Sequence, residues 1–507
     1  MKKIVIHPFL FGIYAIIFLV SVNLKRIPFS ASHRVLKYQL IVIVILFVLF
    51  EVISHSWYRA GLVTSLAVIL FNSYGHVYNY LVDKRLWGIS LGRADILAAL
   101  WATAFILIGW WFIRKLSNPE KLSEYFNILS VMLLIIPTLN IADFYVRQIY
   151  YTGLSDKMVD YEKRPTNHPN QRSRDIYYLI LDEYGREDVL YEIMSFDNSE
   201  LLQHLKEIGF YIADDSHTNY AITQFSLQSS LNLDYLYPDD KANVYSALKL
   251  IHHNRARRFL EEQGYQFVTF ATGYSQTDIT DADYYFKPSS YVNGFEFMYF
   301  LSSVLVHNID DFYFSQSREL ITNTFERLRG VSRINPITPK FVFAHIPAVH
   351  VPYVFGPEGE LEEPWTLPVG VIDPVVARQG YIDGYTGQLT YINKLLKDTI
   401  NAILSESEID PIIIIQGDHG PQVYYDFSFE SPCIKERLAI LNAYYLPGFE
   451  YNKLYTTISP VNTFRLIFAH YFGADFDLLK DRSLLTMRDD LSEIIDATDQ
   501  WNECNIP

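Results

Sequence analysis

Four short stretches of this 507-residue chain carry side chains that can do chemistry together. The apolar run Ile176–Leu181 leads directly into Asp182-Glu183-Tyr184-Gly185-Arg186. A carboxylate closing a buried strand is placed to ligate a metal, although Asp is also a common turn residue. A second run, Ile412–Ile415, leads into Gln416-Gly417-Asp418-His419-Gly420-Pro421. Asp beside His between glycines offers one oxygen and one nitrogen ligand on a tight turn, which suits Zn or Mn. The plain alternative is a turn that happens to contain Asp-His. Thr223 precedes Leu227 and Leu231, which stand at helical spacing, so a helix starts near it. A helix N-terminus presents free N–H groups to a phosphoryl or sulfuryl group, and a hydroxyl there beside a metal can be activated as a nucleophile. The same threonine also reads as a simple N-cap. Lastly, Phe341–His345 continues to His350-Val351-Pro352-Tyr353. Either histidine can hold substrate oxygens or act as acid or base. His345 also reads as a satisfied histidine near the core, whereas His350 falls on a loop.

Positioning these groups requires elements that end at them. Short apolar runs at Ile176–Leu181, Phe267–Ala271, Phe341–Ala344, Ile412–Ile415 and Ala439–Leu446 read as strands. Helical patterns lie between them, including Ser199–Ile208, Ala256–Gln263, Ser317–Arg329 and Leu389–Ser405. The first two of these stop at Gly209 and Gly264. Buried strands alternating with helices predict an α/β domain with a mainly parallel sheet, whose ligands sit beyond the carboxyl ends of the strands.

The N-terminal third differs in kind. Residues 1–150 hold 14 Lys+Arg against 6 Asp+Glu, while the remainder holds 28 against 51. Five apolar stretches precede residue 146: Ile4–Val22, Leu40–Ile53, Leu62–Leu81, Ile96–Ile113 and Phe126–Ile141. A membrane span needs roughly 20 apolar residues: the first and fourth stretches satisfy this, the second reaches it if Val35–His55 is counted, and the third is the weakest because Asn72, Ser73, His76 and Asn79 interrupt it. These stretches predict a transmembrane helical domain of about five spans over 1–146, a polar linker over 147–174 and a soluble domain over 175–507. Loop charges do not set the orientation, with six basic residues on one side and seven on the other. The acidic soluble part is a poor nucleic-acid binder, yet a bound metal can reverse the local sign for an anionic substrate. Cys433 and Cys504 are the only cysteines, too few for a zinc-thiolate site, and one disulfide is conceivable.

Taken jointly, strand-then-Asp182, helix-start Thr223, His350–Tyr353 and strand-then-Asp418-His419-Gly420 resemble the alkaline phosphatase/sulfatase superfamily. Within it the chain looks similar to membrane-anchored bacterial sulfatase-domain proteins such as lipoteichoic acid synthases and lipid A phosphoethanolamine transferases. Asn219–Asn232, Glu436–Tyr444 and Ser459–Arg465 strengthen the likeness, which covers about residues 174–490; the membrane part is matched only in layout. The resemblance implies one divalent metal (Mn, Zn, Mg or Ca) on Asp182, Thr223, Asp418 and His419, with Thr223 also the nucleophile and His350 touching substrate. Glu183 matches the second acidic position of the sulfatase Asp-Asp pair, and Glu183 and His345 are the additional candidates. The resemblance also implies a bacterial cytoplasmic-membrane protein with an extracytoplasmic catalytic domain. Its substrate would be a lipid- or glycan-linked phosphate or sulfate ester. The Cys/Ser-x-Pro/Ala-x-Arg motif of true sulfatases does not surround Thr223, and neither cysteine fits one. That departure points to phosphoryl-type transfer and away from a conventional sulfatase. Hydrolysis of sulfate or phosphate esters by the same site, and a degenerate non-catalytic binding domain, are the alternatives.

Overall fold

The computed structural model describes residues 4–505 apart from 83, 87–88, 159–172, 237–246, 367–373, 427–432 and 488–489. The chain clusters into two compact units, Met1–Tyr150 with Val292–Tyr313, and Tyr151–Tyr291 with Phe314–Pro507.

Long apolar runs give the first unit its helices: α1 (His7–Ser21), α2 (His33–Ser54), α3 (Trp57–Leu81), α4 (Ala94–Arg114) and α5 (Pro119–Met158). The last four are long and apolar enough to cross a membrane. The first apolar stretch forms only 15 helical residues, about 22 Å at 1.5 Å per residue and short of a bilayer core. Four helices of spanning length and one shorter apolar helix therefore stand where five spans were expected. Pro8 sits at the very start of α1, where its missing N–H costs no hydrogen bond. Polar staples hold the bundle. His7 lies between the Ser65 hydroxyl at 2.6 Å and the Ser123 hydroxyl at 3.0 Å, and Arg59 donates to the carbonyls of Phe112, Ile113 and Leu116 at the end of α4. The interrupted third stretch is a continuous 25-residue helix, in which the Asn72 amide nitrogen donates to the Val68 carbonyl one turn back. Helix α5 runs on through Met158, and residues 159–172 of the expected linker lie outside the described residues.

The second unit is built on a seven-stranded sheet among the described residues. Its strands are β1 (Ile176–Leu181), β2 (Tyr211–Ile212), β3 (Gln266–Phe270), β4 (Tyr284–Phe286), β5 (Lys340–Ile346), β6 (Ile412–Gly417) and β7 (Asn442–Tyr445). Their spatial order is β2-β7-β6-β1-β5-β3-β4. All pairings are parallel except those of β7, so the domain is α/β with a mainly parallel sheet. Alternation along β1 splits its side chains between two cores. Tyr177, Leu179 and Leu181 join the helix Pro374–Glu406 through Tyr385, Leu389 and Ile392. Ile176, Tyr178 and Ile180 meet Phe464 and Phe468 of the helix Pro460–Phe472 on the other face. Burial on both faces is why these strands read as unbroken apolar runs.

Three elements differ from the pattern in the sequence, one being the helix expected over Ser317–Arg329, which starts eight residues earlier at Ile309. The run Ala439–Leu446 yields only the four residues of β7, because Ala439 and Ile440 bridge to His217 and Gly185 outside the sheet. The helix anticipated over Leu389–Ser405 starts fifteen residues earlier, at Pro374. Its first half is rich in glycine, and Gly384 is required there: a Cβ would stand 2.3 Å from the Tyr353 ring. The two cysteines pair, Cys433 with Cys504, closing a separation of 71 residues. Such a loop contributes on the order of 4 kcal/mol by restricting the unfolded chain.

Candidate active site

Strand register brings the two acidic motifs together. Gly417 of β6 pairs with Leu181 of β1, and Leu181 pairs with Ile346 of β5. The next residues, Asp182 and Asp418, therefore leave adjacent parallel strands at the same level, at the carboxyl edge where α/β sheets bind ligands. The Asp418 turn needs both of its glycines for close approach. A Cβ on Gly417 would lie 2.4 Å from the Tyr184 carbonyl oxygen, and one on Gly420 would lie 2.1 Å from that of Glu436. Asp182, Asp418 and His419 are buried, and one ligand atom from each falls within 4.8 Å of the others.

Thr223 is the first residue of the helix Thr223–Asn232, after the extended Ile222. Its Oγ1 stands 3.0 Å from His419 Nε2, and it is the partly exposed member of this group. His419 Nδ1 lies 3.1 Å from the Gly420 carbonyl. A carbonyl only accepts, so Nδ1 carries the proton and Nε2 presents its lone pair to the cluster. Burial and the Arg437 guanidinium hold His419 well below its ordinary pKa, keeping it neutral.

The buried polar atoms of this cluster fit a cation. Asp182 Oδ1, Asp418 Oδ2 and His345 Nε2 make no hydrogen bond, a rare state for buried polar groups. His345 Nε2 is 3.5 Å from Asp182 Oδ2. Burial, then Asp182, pushes Asp418 up to about 7. Burial alone would raise Asp182 too, but His350, His345 and His419 pull it below the ordinary carboxylate range. Two buried carboxylates with oxygens within 4.8 Å of each other do not both ionise readily unaided, and a divalent cation removes that conflict.

Of the remaining expected residues, His345 lies inside β5 with Nδ1 3.0 Å from the Thr277 hydroxyl. His350 is half-buried on the following loop. Its Nδ1 is 2.6 Å from the Val351 carbonyl, which fixes the proton there and leaves Nε2 for chemistry. Burial lowers the His350 pKa, but Glu183 and Asp182 outweigh it and raise the value overall. Glu183 has a left-handed backbone, φ 63°. Its carboxylate is turned to Arg437 Nη1 at 2.7 Å and to the Tyr381 hydroxyl at 3.3 Å, not to the Asp182–Asp418–His419 cluster.

Arg437 is the group that sequence reasoning left without a role. It also donates to the carbonyls of Gly420 at 2.8 Å and Ala221 at 2.9 Å, and Nη2 lies 3.1 Å from His419 Nε2. One guanidinium thus ties the residue after Asp182, the residue after His419 and the segment leading to Thr223. The neighbouring Glu436 carboxylate accepts the backbone N–H groups of Val423, Tyr424 and Tyr425, fixing the chain beyond the Asp418 turn. Arg437→Met leaves Glu183 charged and unpaired in the interior. A loss of about 3–5 kcal/mol in unfolding free energy is expected, read by denaturant titration against the wild type.

The sulfatase family model matches residues 151–464. The chain belongs to the sulfatase family. As a sulfatase-family protein it is an enzyme of the alkaline phosphatase superfamily, and its apolar N-terminal helices make it a membrane protein. No curated protein matches the sequence. Among solved structures, the C-terminal periplasmic domain of EcEptC from Escherichia coli in complex with Zn is 12% identical with a TM-score of 0.46, covering 66% of this chain and 95% of that one. The lipoteichoic acid synthase LtaP from Listeria monocytogenes is 12% identical with a TM-score of 0.39, covering 66% and 80%. The integral membrane lipooligosaccharide phosphoethanolamine transferase A (EptA) from Neisseria meningitidis is 12% identical with a TM-score of 0.37, covering 91% and 94%.

Proposed function

We propose that this sulfatase-family enzyme transfers or cleaves a phosphoryl-type group, from a phosphodiester on an envelope lipid or glycan, through Thr223 as nucleophile. The observation that carries this reading is the partly exposed Thr223 hydroxyl at a helix start, 3.0 Å from His419 Nε2 and beside the Asp182–Asp418 pair. Asp182, Asp418, His419 and Thr223 would hold one divalent cation, which supplies charge neutralisation and lowers the pKa of a bound hydroxyl.

The chain's own residues do the rest. The first backbone N–H groups of the Thr223 helix face the anionic group and orient it. Thr223 Oγ, its proton lost to solvent, forms a bond to phosphorus as the bond to the leaving alcohol's oxygen breaks. His350 gives its Nε2 proton to that oxygen. An acceptor hydroxyl, from water or from a glycan or lipid, then attacks the phosphorus of the threonine ester and passes its proton back to His350, and the bond to Thr223 Oγ breaks, the oxygen regaining its proton from solvent. A negative charge close to His350, on Glu183 and Asp182, suits this role because it favours the protonated imidazole.

The domain assignment belongs to the same proposal: a membrane anchor over about 1–146 and a catalytic domain over 175–507, extracytoplasmic in a bacterial cytoplasmic membrane. The Cys433–Cys504 disulfide supports that side, since such bonds persist in oxidising compartments. The test is an activity screen of the purified full chain on phosphodiester, phosphomonoester and sulfate-ester reporters, each with Mn, Zn, Mg or Ca. Phosphodiester turnover that requires metal is expected. Turnover confined to sulfate esters would overturn the reading.

A further inference from the structure

The chain leaves the sheet-containing unit after Tyr291 and re-enters it at Phe314, and the residues between cluster with the apolar helices. We infer that Val292–Tyr313 is a second membrane contact of this protein, seated in the lipid–water interface with Val304 and Leu305 turned to lipid.

The local sequence builds an amphipathic element. Asn293 and Glu296 form a capping box that starts the helix Gly294–Ser302, and a 3-10 turn over Val304–Asn308 follows. Phe295 and Tyr299 are buried among Ile16, Val20 and Val35 of the apolar helices, and Val306 is buried with Tyr74 and Leu97. Polar contacts fix the register. Glu296, 3% exposed, pairs with Arg34. Tyr299 donates to Gln39 Oε1 at 2.6 Å, and Asn79 donates to the Leu301 carbonyl at 3.1 Å. The backbones approach so closely that a Cβ on Gly75 would lie 2.3 Å from the Leu301 oxygen.

These partners set the depth. Arg34 is the second residue of α2 and Asn79 stands two residues before the end of α3, so the segment lies at the level of the helix ends, where hydrocarbon gives way to headgroups. At that level Val304 and Leu305 stay 40% and 45% exposed. The turn that carries them packs on α3, whose own end exposes the large apolar Tyr80 and Val82. Side chains of this kind, beside spans that already face lipid, continue the lipid-facing surface.

Both native thiols are joined in the disulfide, so a nitroxide attaches only to an introduced cysteine. The experiment labels Leu305→Cys in the full chain, in nanodiscs of phosphatidylcholine and phosphatidylglycerol, and measures collision with oxygen and with a water-soluble nickel chelate. Ile135→Cys, on an exposed mid-span position, and Glu207→Cys, on the exposed surface of the other unit, are the lipid and water references. Oxygen collision exceeding nickel collision severalfold, as at residue 135, is expected. Nickel-dominated collision, as at residue 207, overturns the inference. So does shielding from both, which would mean that protein, such as a second copy, covers the patch. Val304→Cys serves as the second variant where Leu305→Cys does not fold.

Discussion

Thr223→Ala loses turnover by a factor on the order of 10⁴ or more, the scale seen when an enzyme's nucleophile is removed, while the fold and most of the bound metal remain. The expectation is specific because Thr223 plays little part in stability. It is partly exposed at the first position of its helix, and its hydroxyl faces the His419 ring at 3.0 Å and the Asp418 carboxyl. Alanine is also the better helix former, so a change within about 0.5 kcal/mol is expected. Asp182, Asp418 and His419 all stay in place. Thr223→Ser keeps a hydroxyl and should retain measurable turnover. Steady-state kinetics of the three forms, with melting temperatures alongside, check this. Wild-type activity in Thr223→Ala would remove the threonine from the chemistry.

Asp418→Asn abolishes both metal retention and turnover, yet leaves the metal-free protein at least as stable as the metal-free wild type. The sign follows from the burial of Asp418 against Asp182. Without a cation that contact is repulsive, and neutralising one partner relieves it. The substitution keeps the Oδ1 acceptor that receives the Glu183 backbone N–H at 3.1 Å, so the turn is not lost. In the wild type, metal at a hundred times its dissociation constant should add about 2.7 kcal/mol; the variant should gain nothing. Elemental analysis gives the metal content, and unfolding with and without chelator gives the stabilities. Equal metal-dependent stabilisation in both proteins would exclude Asp418 as a ligand.

Much of the candidate site is readable from sequence, because its candidate ligands follow strands that announce themselves. β1 and the Ile412–Ile415 part of β6 are apolar runs, and Asp182 and Asp418 are the residues that directly follow the two strands. Thr223 is readable from the leucines four and eight residues on. What sequence does not show is anything assembled from distant carbonyls. Arg437 gathers Ala221, Gly420 and Glu183, and no spacing rule links those positions. Glu183 looks like a ligand by its place beside Asp182, and only the Arg437 contact shows where its carboxylate turns. The Val292–Tyr313 segment hides for another reason. Its apolar residues read as ordinary core, and nothing local says which core receives them. The glycines of the Pro374–Glu406 helix mask its first half, although one of them, Gly384, is there to admit Tyr353.

The central claim is that the phosphoryl-type group passes through Thr223, and acid-quenched reaction mixtures test it most directly. The full chain is incubated with metal and a phosphodiester donor, without an acceptor alcohol, then quenched, digested and mapped by mass spectrometry. A phosphoryl adduct on Thr223 is expected in the wild type and absent from Thr223→Ala and Asp418→Asn. An adduct on another residue, or an adduct that persists in Thr223→Ala, would contradict the account.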